Sequence, residues 1–265
     1  LIATANELSL LPESFVFVDD NPAEREIIKA NLPGVAVPEI DAIEKYLQII
    51  DKSGFFEVTT LSQDDIKRNE MYQQNAKRAQ QQASFINYED YLRSLEMKGE
   101  IDSFSPIYMS RIAQLTNKSN QFNLTTKRYS QSEIEEVASN PNYVTLYGKL
   151  GDKFGDNGVV SIVIGHKEGV QKDELHMELW LMSCRVLKRE MEFAMMDALV
   201  EKAKSLGIKK IVGYYYPTAK NAMVKDFYSL QGFHKISEDT EGNSVWEFPI
   251  DESYKKKQHV IKVNE

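Results

Sequence analysis

Apolar and polar positions in the first fifty residues alternate with the spacing of short strands and helices. The unbroken run SFVFV at 14–18 predicts a buried strand. Asn21 and Pro22 suit the cap and first position of a following helix. VAVPEI at 35–40 predicts a second strand, and DAIEKYLQIID at 41–51 predicts a second helix. This strand–helix–strand–helix order is typical of a parallel α/β sheet.

The stretch from 59 to 97 predicts two polar helices and no strand. Ser62 with Asp65 is a capping signal, and a narrow apolar stripe then recurs at helical spacing. NYEDYLRSLEM at 87–97 predicts the second helix. We expect both to serve as a connector.

From residue 98 the pattern becomes that of a mixed sheet flanked by helices. Strands are predicted at 99–105, 142–150, 158–165, 174–183 and 209–216, and a hairpin over 233–250. Helices are predicted from Ser105-Pro106, from Ser130, over 189–207 and over 221–232. The tail KKKQHVIKVNE is predicted to be frayed. The order strand, two helices, three strands, helix, strand, helix, hairpin resembles the GNAT acyltransferase fold.

Composition and charge narrow the functional classes. Hydrophobic residues make up 42% and charged residues 27% of 265 residues, as in soluble proteins of one large or two modest domains. The net charge of −8 disfavours nucleic acid, and no apolar run approaches the roughly 20 residues that span a bilayer. The single cysteine, Cys184, forms no disulfide within the chain, which fits the cytoplasm. The chain lacks an initiator Met, so we expect it to begin inside a longer protein.

Asp19 and Asp20 follow the first predicted strand directly. The carboxyl end of a strand is where open α/β sheets bind ligands, and paired carboxylates suit Mg²⁺. The alternative is that both only favour the positive N-terminus of the next helix.

Four stretches resemble the FkbH-like family. FVFVDDNPAERE at 15–26 is similar to the fourth motif of HAD-superfamily phosphatases, and the others are QLTNKSNQFNLTTKRYS at 114–130, LMSCRVLKREME at 181–192 and YYPTAKNAMVKDFYSLQGF at 215–233. The family joins a HAD phosphatase half to a GNAT-like half. The resemblance implies that a glyceryl thioester is made on an acyl carrier protein from a phosphorylated glycerate.

The resemblance divides the chain into three parts and implies an α/β and α+β fold class. Residues 1–58 would be the C-terminal remnant of a HAD-like, Rossmannoid parallel-sheet domain, 59–97 a helical connector and 98–265 a GNAT-like mixed-sheet domain. Asp19 or Asp20 would hold Mg²⁺ in the complete HAD domain. Because no nucleophilic Asp precedes residue 14, we expect no phosphatase activity from this chain.

The polar stretch 116–130 is the most specific part of the resemblance. Its side chains could hydrogen-bond the amides of a phosphopantetheine arm and neutralise a phosphate; they are Asn117, Lys118, Asn120, Gln121, Asn123, Thr125, Thr126, Lys127 and Arg128. The alternative is a hydrogen-bonded loop that caps two helices.

GNAT enzymes bind the CoA pyrophosphate at a helix N-terminus after a pattern like Arg-x-x-Gly-x-Gly. Here Arg185 begins the matching stretch, but Lys188 and Glu190 fill both glycine places. We therefore expect weak acetyl-CoA binding or none. Lys188 and Arg189 could still attract one phosphate, and Arg185 and Asn221 are grouped with them as cofactor-binding residues.

Two residues are candidates for catalysis. Tyr228 matches the general acid of many GNAT enzymes, or it packs in the core. Cys184 lies where a strand gives way to a helix, the splayed region where GNAT folds seat the pantetheine thiol. Nearby cations and a helix N-terminus would lower the pKa of this thiol, and the resemblance implies a thioester on it. The alternative is a small buried residue beside Met182.

Three functions remain open. The first is an FkbH-like enzyme that transfers a glyceryl or related acyl group from a small phosphorylated acid to a carrier protein. The second is an acyl-CoA N-acyltransferase, and the third is a non-catalytic module that docks a carrier protein. We expect the carrier to dock near Lys118, Lys127, Arg128, Lys188 and Arg189.

Overall fold

A computed structural model describes residues 1–8, 10–40, 42–57, 68–170 and 172–264. The chain divides into two compact units, Leu1–Ala76 and Lys77–Glu265. The division falls inside one helix, within the stretch that the sequence predicts as a connector. No described helix is long and apolar enough to cross a membrane.

The first unit is built from short helices. They are α1 (Ile2–Leu8), α2 (Pro22–Asn31), α3 (Tyr46–Lys52) and the start of α4 (Arg68–Gln82), with 3-10 turns at Pro12–Ser14 and Ile43–Lys45. The predicted cap of α2 is confirmed, because the Asn21 side chain accepts a hydrogen bond from the Ala23 N–H at 3.0 Å. The predicted cap at Ser62 and Asp65 lies outside the described residues.

The two strands predicted in this unit meet at a single parallel bridge. Val16 pairs with Ala36, and the Phe17 N–H donates to the Ala36 carbonyl at 2.8 Å. Residues 15–18 are half-buried, so the prediction of a buried strand is wrong. The described residues of this unit form no extended parallel sheet, and the HAD-like assignment stays a prediction.

The second unit holds a mixed sheet and most of the helices. Its helices are α5 (Tyr88–Ser94), α6 (Met109–Lys118), α7 (Gln131–Ser139), α8 (Met191–Ser205) and α9 (Phe227–Leu230). Its strands are β1 (Lys98–Asp102), β2 (Phe122–Asn123), β3 (Tyr143–Asp152), β4 (Gly155–Glu168), β5 (Glu174–Met182), β6 (Lys210–Tyr215), β7 (His234–Glu238), β8 (Ser244–Pro249) and β9 (Lys262–Val263).

The sheet order is β7-β8-β6-β5-β4-β3-β1-β9, and β2 pairs with β5 outside this path. Neighbouring strands are antiparallel except at two places, β5 with β6 and β1 with β9. Apart from the short additional strands β2 and β9, the order of helices and strands along the chain is the one predicted from the sequence. Its local signals are also confirmed: Ser130 and Glu133 form a reciprocal capping box on α7, and Gly207 ends α8 with φ 72°.

Helices cover both faces of the sheet. The apolar side of α8 packs with one face, and α6 and α7 pack with the other. In β5 the alternation between the faces changes at Glu178, because Gly165 pairs with Met177 while Ile164 pairs with Leu179. Glu178 is therefore the extra residue of a β-bulge.

The C-terminal tail is fixed to the sheet, so the prediction of fraying is wrong. β9 pairs in parallel with β1, and the buried Ile261 precedes it. The Asn264 side chain accepts from the Ile101 N–H and donates to the Ile101 carbonyl, both at 3.0 Å. The sequence carries one sign of this burial, because the two apolar residues 260–261 lie between lysines.

Candidate functional site

The site lies where two parallel strands separate. β5 and β6 pair at only three positions, from Glu174 with Lys210 to His176 with Val212. Beyond His176 the strands are no longer bonded to each other. We call the opening between 177–182 and 213–216 the slot.

Residues 119–126, the inserted segment, fill the slot. Its strand β2 pairs antiparallel with the end of β5, Phe122 with Met182. The Leu124 N–H donates to the Trp180 carbonyl at 3.1 Å, and the Leu124 carbonyl accepts from the Tyr216 N–H at 2.9 Å. One short piece of chain is thus bonded to both edges of the slot.

Buried side chains hold the inserted segment in place. Asn221, which is fully buried, donates to the carbonyls of Asn123 and Tyr216, both at 2.9 Å. The Thr125 hydroxyl donates to the Glu178 carbonyl at 2.7 Å. The buried Asn123 accepts from the Thr126 N–H at 2.8 Å. Asn221 and Asn123, predicted to bind a cofactor and a pantetheine arm, here bind the chain itself.

Most of the other residues that were predicted to bind the phosphopantetheine arm form hydrogen bonds around the C-terminal end of α6. Asn117 donates to the Ala113 and Tyr129 carbonyls at 2.9 Å. Arg128 donates to the Thr116 carbonyl, to the Ser119 carbonyl at 2.9 Å and to the side chain of Asn120. These bonds are those of a loop that caps a helix, as the alternative interpretation of this stretch predicts. Lys118 is exposed and Gln121 is partly exposed.

The carboxylate of Glu178 is the centre of a polar cluster beside the slot. It accepts hydrogen bonds from the Tyr129 hydroxyl at 2.9 Å, the Tyr143 hydroxyl at 3.2 Å and the Lys127 ammonium. Burial raises the pKa of this carboxyl, but the three donors outweigh it and hold the pKa below its usual value. Glu178 therefore stays ionised at neutral pH. Sequence reasoning missed it, although Glu178 is the last polar residue of ELHMELWLMS before the apolar run LWLM.

A histidine lies at the last pair of β5 and β6 before the slot. His176 Nδ1 lies 2.7 Å from the Tyr214 hydroxyl, and Nε2 lies 3.1 Å from the Glu174 carboxylate. Both ring nitrogens are thus engaged, which fits the structural role expected of a strand histidine.

Tyr228 lies in the core, as its alternative prediction has it. Its hydroxyl accepts from the Tyr214 N–H at 3.2 Å, and burial raises its pKa. The ring covers Gly213, where a Cβ would lie 2.3 Å from a ring carbon. This burial favours the packing role, and the role of Tyr228 as a general acid stays a prediction.

Cys184 begins the short 3-10 turn Cys184–Val186 just after β5, and α8 begins seven residues later, at Met191. The thiol is partly buried, and burial raises its pKa despite the nearby Arg185. The expectation of a lowered pKa is therefore wrong. The nucleophile assignment stays a prediction that the geometry does not favour.

The loop before α8 keeps a glycine-type backbone without glycines. Lys188 and Glu190 both have φ 62°, in the left-handed region. At the N-terminus of α8, Glu190 and Glu192 each have a buried Oε2 with no hydrogen-bond partner among the described atoms. Burial raises the pKa of Glu192, and Glu190 adds to the effect. Carboxyl groups at this end disfavour a bound pyrophosphate.

Arg189 is buried and engaged, which corrects its assignment to phosphate. Its Nη1 lies 3.3 Å from a carboxylate oxygen of Asp152, a side chain with no exposed surface. Arg78 binds the same carboxylate through two bonds of 2.6 and 2.8 Å. Arg185 is partly exposed and donates to the Ser183 hydroxyl at 3.3 Å. Of the predicted phosphate-binding cations, Lys188 is the exposed one.

The aspartate pair lies directly before the cap of α2. The Asp19 carboxylate accepts from the Asn21 N–H at 2.8 Å, and Arg25 donates to the carbonyls of Asp19 and Asp20 at 3.0 Å. The described residues contain no cluster of three or more His, Cys, Asp or Glu suited to a metal. The role of the pair as Mg²⁺ ligands in a larger HAD domain stays a prediction.

Comparison with known proteins gives similar folds and no family. No protein-family model matches the chain, and no curated protein matches it. Solved structures that are similar include the ribosomal-protein-S18-alanine N-acetyltransferase from Escherichia coli, with 13% identity, TM-score 0.43 and coverage of 61% of this chain and 99% of that one. The GNAT domain of S. lividans PAT has 16% identity, TM-score 0.45 and coverage of 56% and 89%. YncA from Salmonella typhimurium, solved with its cofactor acetyl-CoA, has 10% identity, TM-score 0.44 and coverage of 61% and 98%. Similarity at this level concerns the fold and does not transfer a function.

Proposed function

We propose that this chain acts as an acyltransferase of the FkbH-like type. It would move a glyceryl or related acyl group from a small phosphorylated acid to the phosphopantetheine thiol of an acyl carrier protein. One observation supports the proposal most: three separate stretches of the resemblance, 114–130, 181–192 and 215–233, converge on the slot. They supply the inserted segment, the end of β5, and Tyr216 with Asn221.

The polar cluster gives this site its chemistry. The ionised Glu178 carboxylate lies on the bulge of β5, two residues before Trp180, whose carbonyl bonds the inserted segment. A carboxylate there can accept a proton from an incoming acyl acceptor or hold a cationic one. Tyr129 and Tyr143 fix its orientation by their hydroxyl groups.

The carrier would dock on the exposed cations around the slot. Lys118 and Lys188 are exposed, and Lys127 and Arg128 are largely exposed as well. Arg189 is withdrawn from the predicted docking set because it is buried against Asp152. Carrier proteins are usually acidic, so local attraction must act against this chain's net charge of −8.

A second candidate is an acyltransferase that acylates an amine. The Lys127 ammonium lies against the Glu178 carboxylate and 5.0 Å from the centre of the Tyr129 ring. An acceptor amine would be held by the same carboxylate and ring. The buried carboxyls at the start of α8 are unfavourable for CoA as its donor, which is why this candidate ranks second.

The test is transfer to a carrier protein. The purified chain is incubated with an acyl phosphate of glycerate and a holo carrier, and the intact mass of the carrier is recorded. We expect the mass of one glyceryl group, removable by hydroxylamine, and a loss of rate in Glu178→Gln but not in the exposed control Glu241→Gln. Release of free CoA from acetyl-CoA with amine acceptors, and no carrier acylation, would favour the second candidate.

A further inference from the structure

Where β5 and β6 part, three side chains form a continuous series of hydrogen bonds from a carboxylate through an imidazole to a hydroxyl. His176 Nε2 lies 3.1 Å from a carboxylate oxygen of Glu174, and His176 Nδ1 lies 2.7 Å from the Tyr214 hydroxyl. Glu174 and His176 belong to β5, and Tyr214 belongs to β6. We call these three residues the triad.

The chemistry of the partners fixes where the protons of the triad lie. A carboxylate only accepts hydrogen bonds, and the bonds from His176 and Lys210 lower the pKa of Glu174, so this group is ionised. Nε2 of the neutral imidazole therefore carries the proton, and Nδ1 accepts the proton of the Tyr214 hydroxyl. Hydroxyl nucleophiles are activated by this arrangement of hydroxyl, base and orienting carboxylate.

The surroundings of the triad favour transfer of the phenol proton to the histidine only at the moment of attack. Burial and the nearby Glu168 carboxylate raise the pKa of Tyr214, so the hydroxyl keeps its proton in the free chain. A Glu168 carboxylate oxygen also lies 3.8 Å from His176 Nε2, where it stabilises an imidazolium together with Glu174. Tyr214 is partly exposed, so an acyl compound can reach its hydroxyl.

We propose that Tyr214 is a nucleophile that takes up an acyl group as a tyrosyl ester, with His176 as its base and Glu174 as a positioning residue. Oη of Tyr214 bonds to the carbonyl carbon of an activated acyl compound, and the phenol proton passes to His176 Nδ1. The bond from that carbon to the leaving oxygen then breaks, and the leaving group takes the proton from Nδ1.

A thiol acceptor would discharge the ester by the same steps in reverse. It gives its proton to His176 Nδ1 as its sulfur bonds to the carbonyl carbon, and Oη of Tyr214 leaves and recovers the proton. Phenols have an ordinary pKa of about 10 and thiols of about 8.5, so the two are leaving groups of similar quality and a tyrosyl ester is activated for transfer. The reactivity of Tyr214 rests on the triad alone, whereas an acyl phosphate as donor and a carrier thiol as acceptor rest on the proposed function.

The test measures acetylation of single tyrosines by p-nitrophenyl acetate, with peptide mass spectrometry giving the rate at each position. Tyr216 is the matched control residue, because its ring lies 6.3 Å from that of Tyr214, it is 43% exposed, and no hydrogen bond of the described residues joins it to an imidazole. The variants are His176→Gln and Glu174→Gln. His166→Gln is the control variant, because His166 pairs with His176 across the strands but lies against Glu168.

We expect Tyr214 to be acetylated faster than the more exposed Tyr216. The rate at Tyr214 should fall about 100-fold in His176→Gln and at least about ten-fold in Glu174→Gln, and His166→Gln should react like the wild type. Tyr216 should react alike in all the proteins, which checks that each variant is folded. As the pH rises, the wild-type rate at Tyr214 should level off below about pH 10, where free phenols ionise, because the base needs only a neutral imidazole.

Faster acetylation of Tyr216, or an equal rate at Tyr214 in the wild type and His176→Gln, would overturn the nucleophile. If His176→Gln does not fold, the order of labelling and the pH profile of the wild type decide the question. With the acyl phosphate of glycerate, a glyceryl ester should form on Tyr214 and be discharged by a holo carrier, and carrier loading at the wild-type rate by Tyr214→Phe would refute its part in transfer. Acetylation of Tyr214 in a chain that loads no carrier would leave the nucleophile standing and refute the proposed function.

Discussion

Replacing Asp152 with asparagine tests whether Arg189 is a structural residue. The Asp152 side chain has no exposed surface and binds two guanidinium groups, whose side chains are 2% and 10% exposed. It also accepts from the N–H groups of Phe154 and Gly155 at 2.9 and 3.3 Å. The asparagine side chain would keep one acceptor oxygen but remove the negative charge that both guanidinium groups contact.

The expected loss follows from the burial of these charges. Breaking a buried ion pair from one side costs about 3–5 kcal/mol, because the remaining charge stays desolvated. In a unit of this size, roughly 2–4 °C in Tm accompanies each kcal/mol, so we expect a fall of about 6–20 °C. Urea and thermal unfolding monitored by circular dichroism measure both quantities.

A matched control lies on the same hairpin. Asp156 is exposed and accepts from the Gly158 N–H at 2.7 Å, so Asp156→Asn should cost about 1 kcal/mol or less. If Asp152→Asn costs no more than this control, the network does not hold Arg189. Arg189 would then be available for phosphate after all.

Four further results are expected. The fold lowers the Glu178 pKa below its usual 4.5, so the ionised carboxylate stabilises the fold above pH 4.5. This contribution is lost as the pH falls through the folded pKa. The difference in urea midpoint between wild type and Glu178→Gln should therefore shrink from pH 7 to pH 3. Because burial raises the pKa of the Cys184 thiol above 9.0, its alkylation rate should still be rising at pH 9, and a plateau near pH 7 would contradict this. Tyr228→Phe should lose about 1–3 kcal/mol of stability by leaving a buried N–H unbonded, and an unchanged urea midpoint would contradict the assigned bond. Charge reversal at Lys118 and Lys188 should slow association with a carrier at low salt, and unchanged association rates would place the docking surface elsewhere.

Local patterns explain most of the second unit. The capping box of Ser130 and Glu133 and the stop at Gly207 act within one turn of chain, so α7 and α8 could be predicted with their order along the chain. Residues 260–261 could not be assigned in this way, because they become buried only where β9 meets β1, more than 150 residues earlier in the chain.

The site could be predicted only in part. The resemblance selected the stretches that meet at the slot, including Asn123 and Asn221, but their contact joins residues 98 positions apart. A two-residue strand rich in amides carries no periodic signal, so sequence reasoning treated it as a ligand-binding loop. Arg189 and Tyr228 match motif positions in the sequence, and only the packed structure shows that each is buried.

The most direct test of the filled slot is amide exchange in the ligand-free chain. If the inserted segment lies between β5 and β6, the N–H groups of Leu124 and Tyr216 exchange as slowly as strand amides of β4 and β5, because each donates to a carbonyl inside the sheet. Exchange of both groups at the rate of exposed loop amides in the free chain would show that the slot is open and would contradict the filled slot.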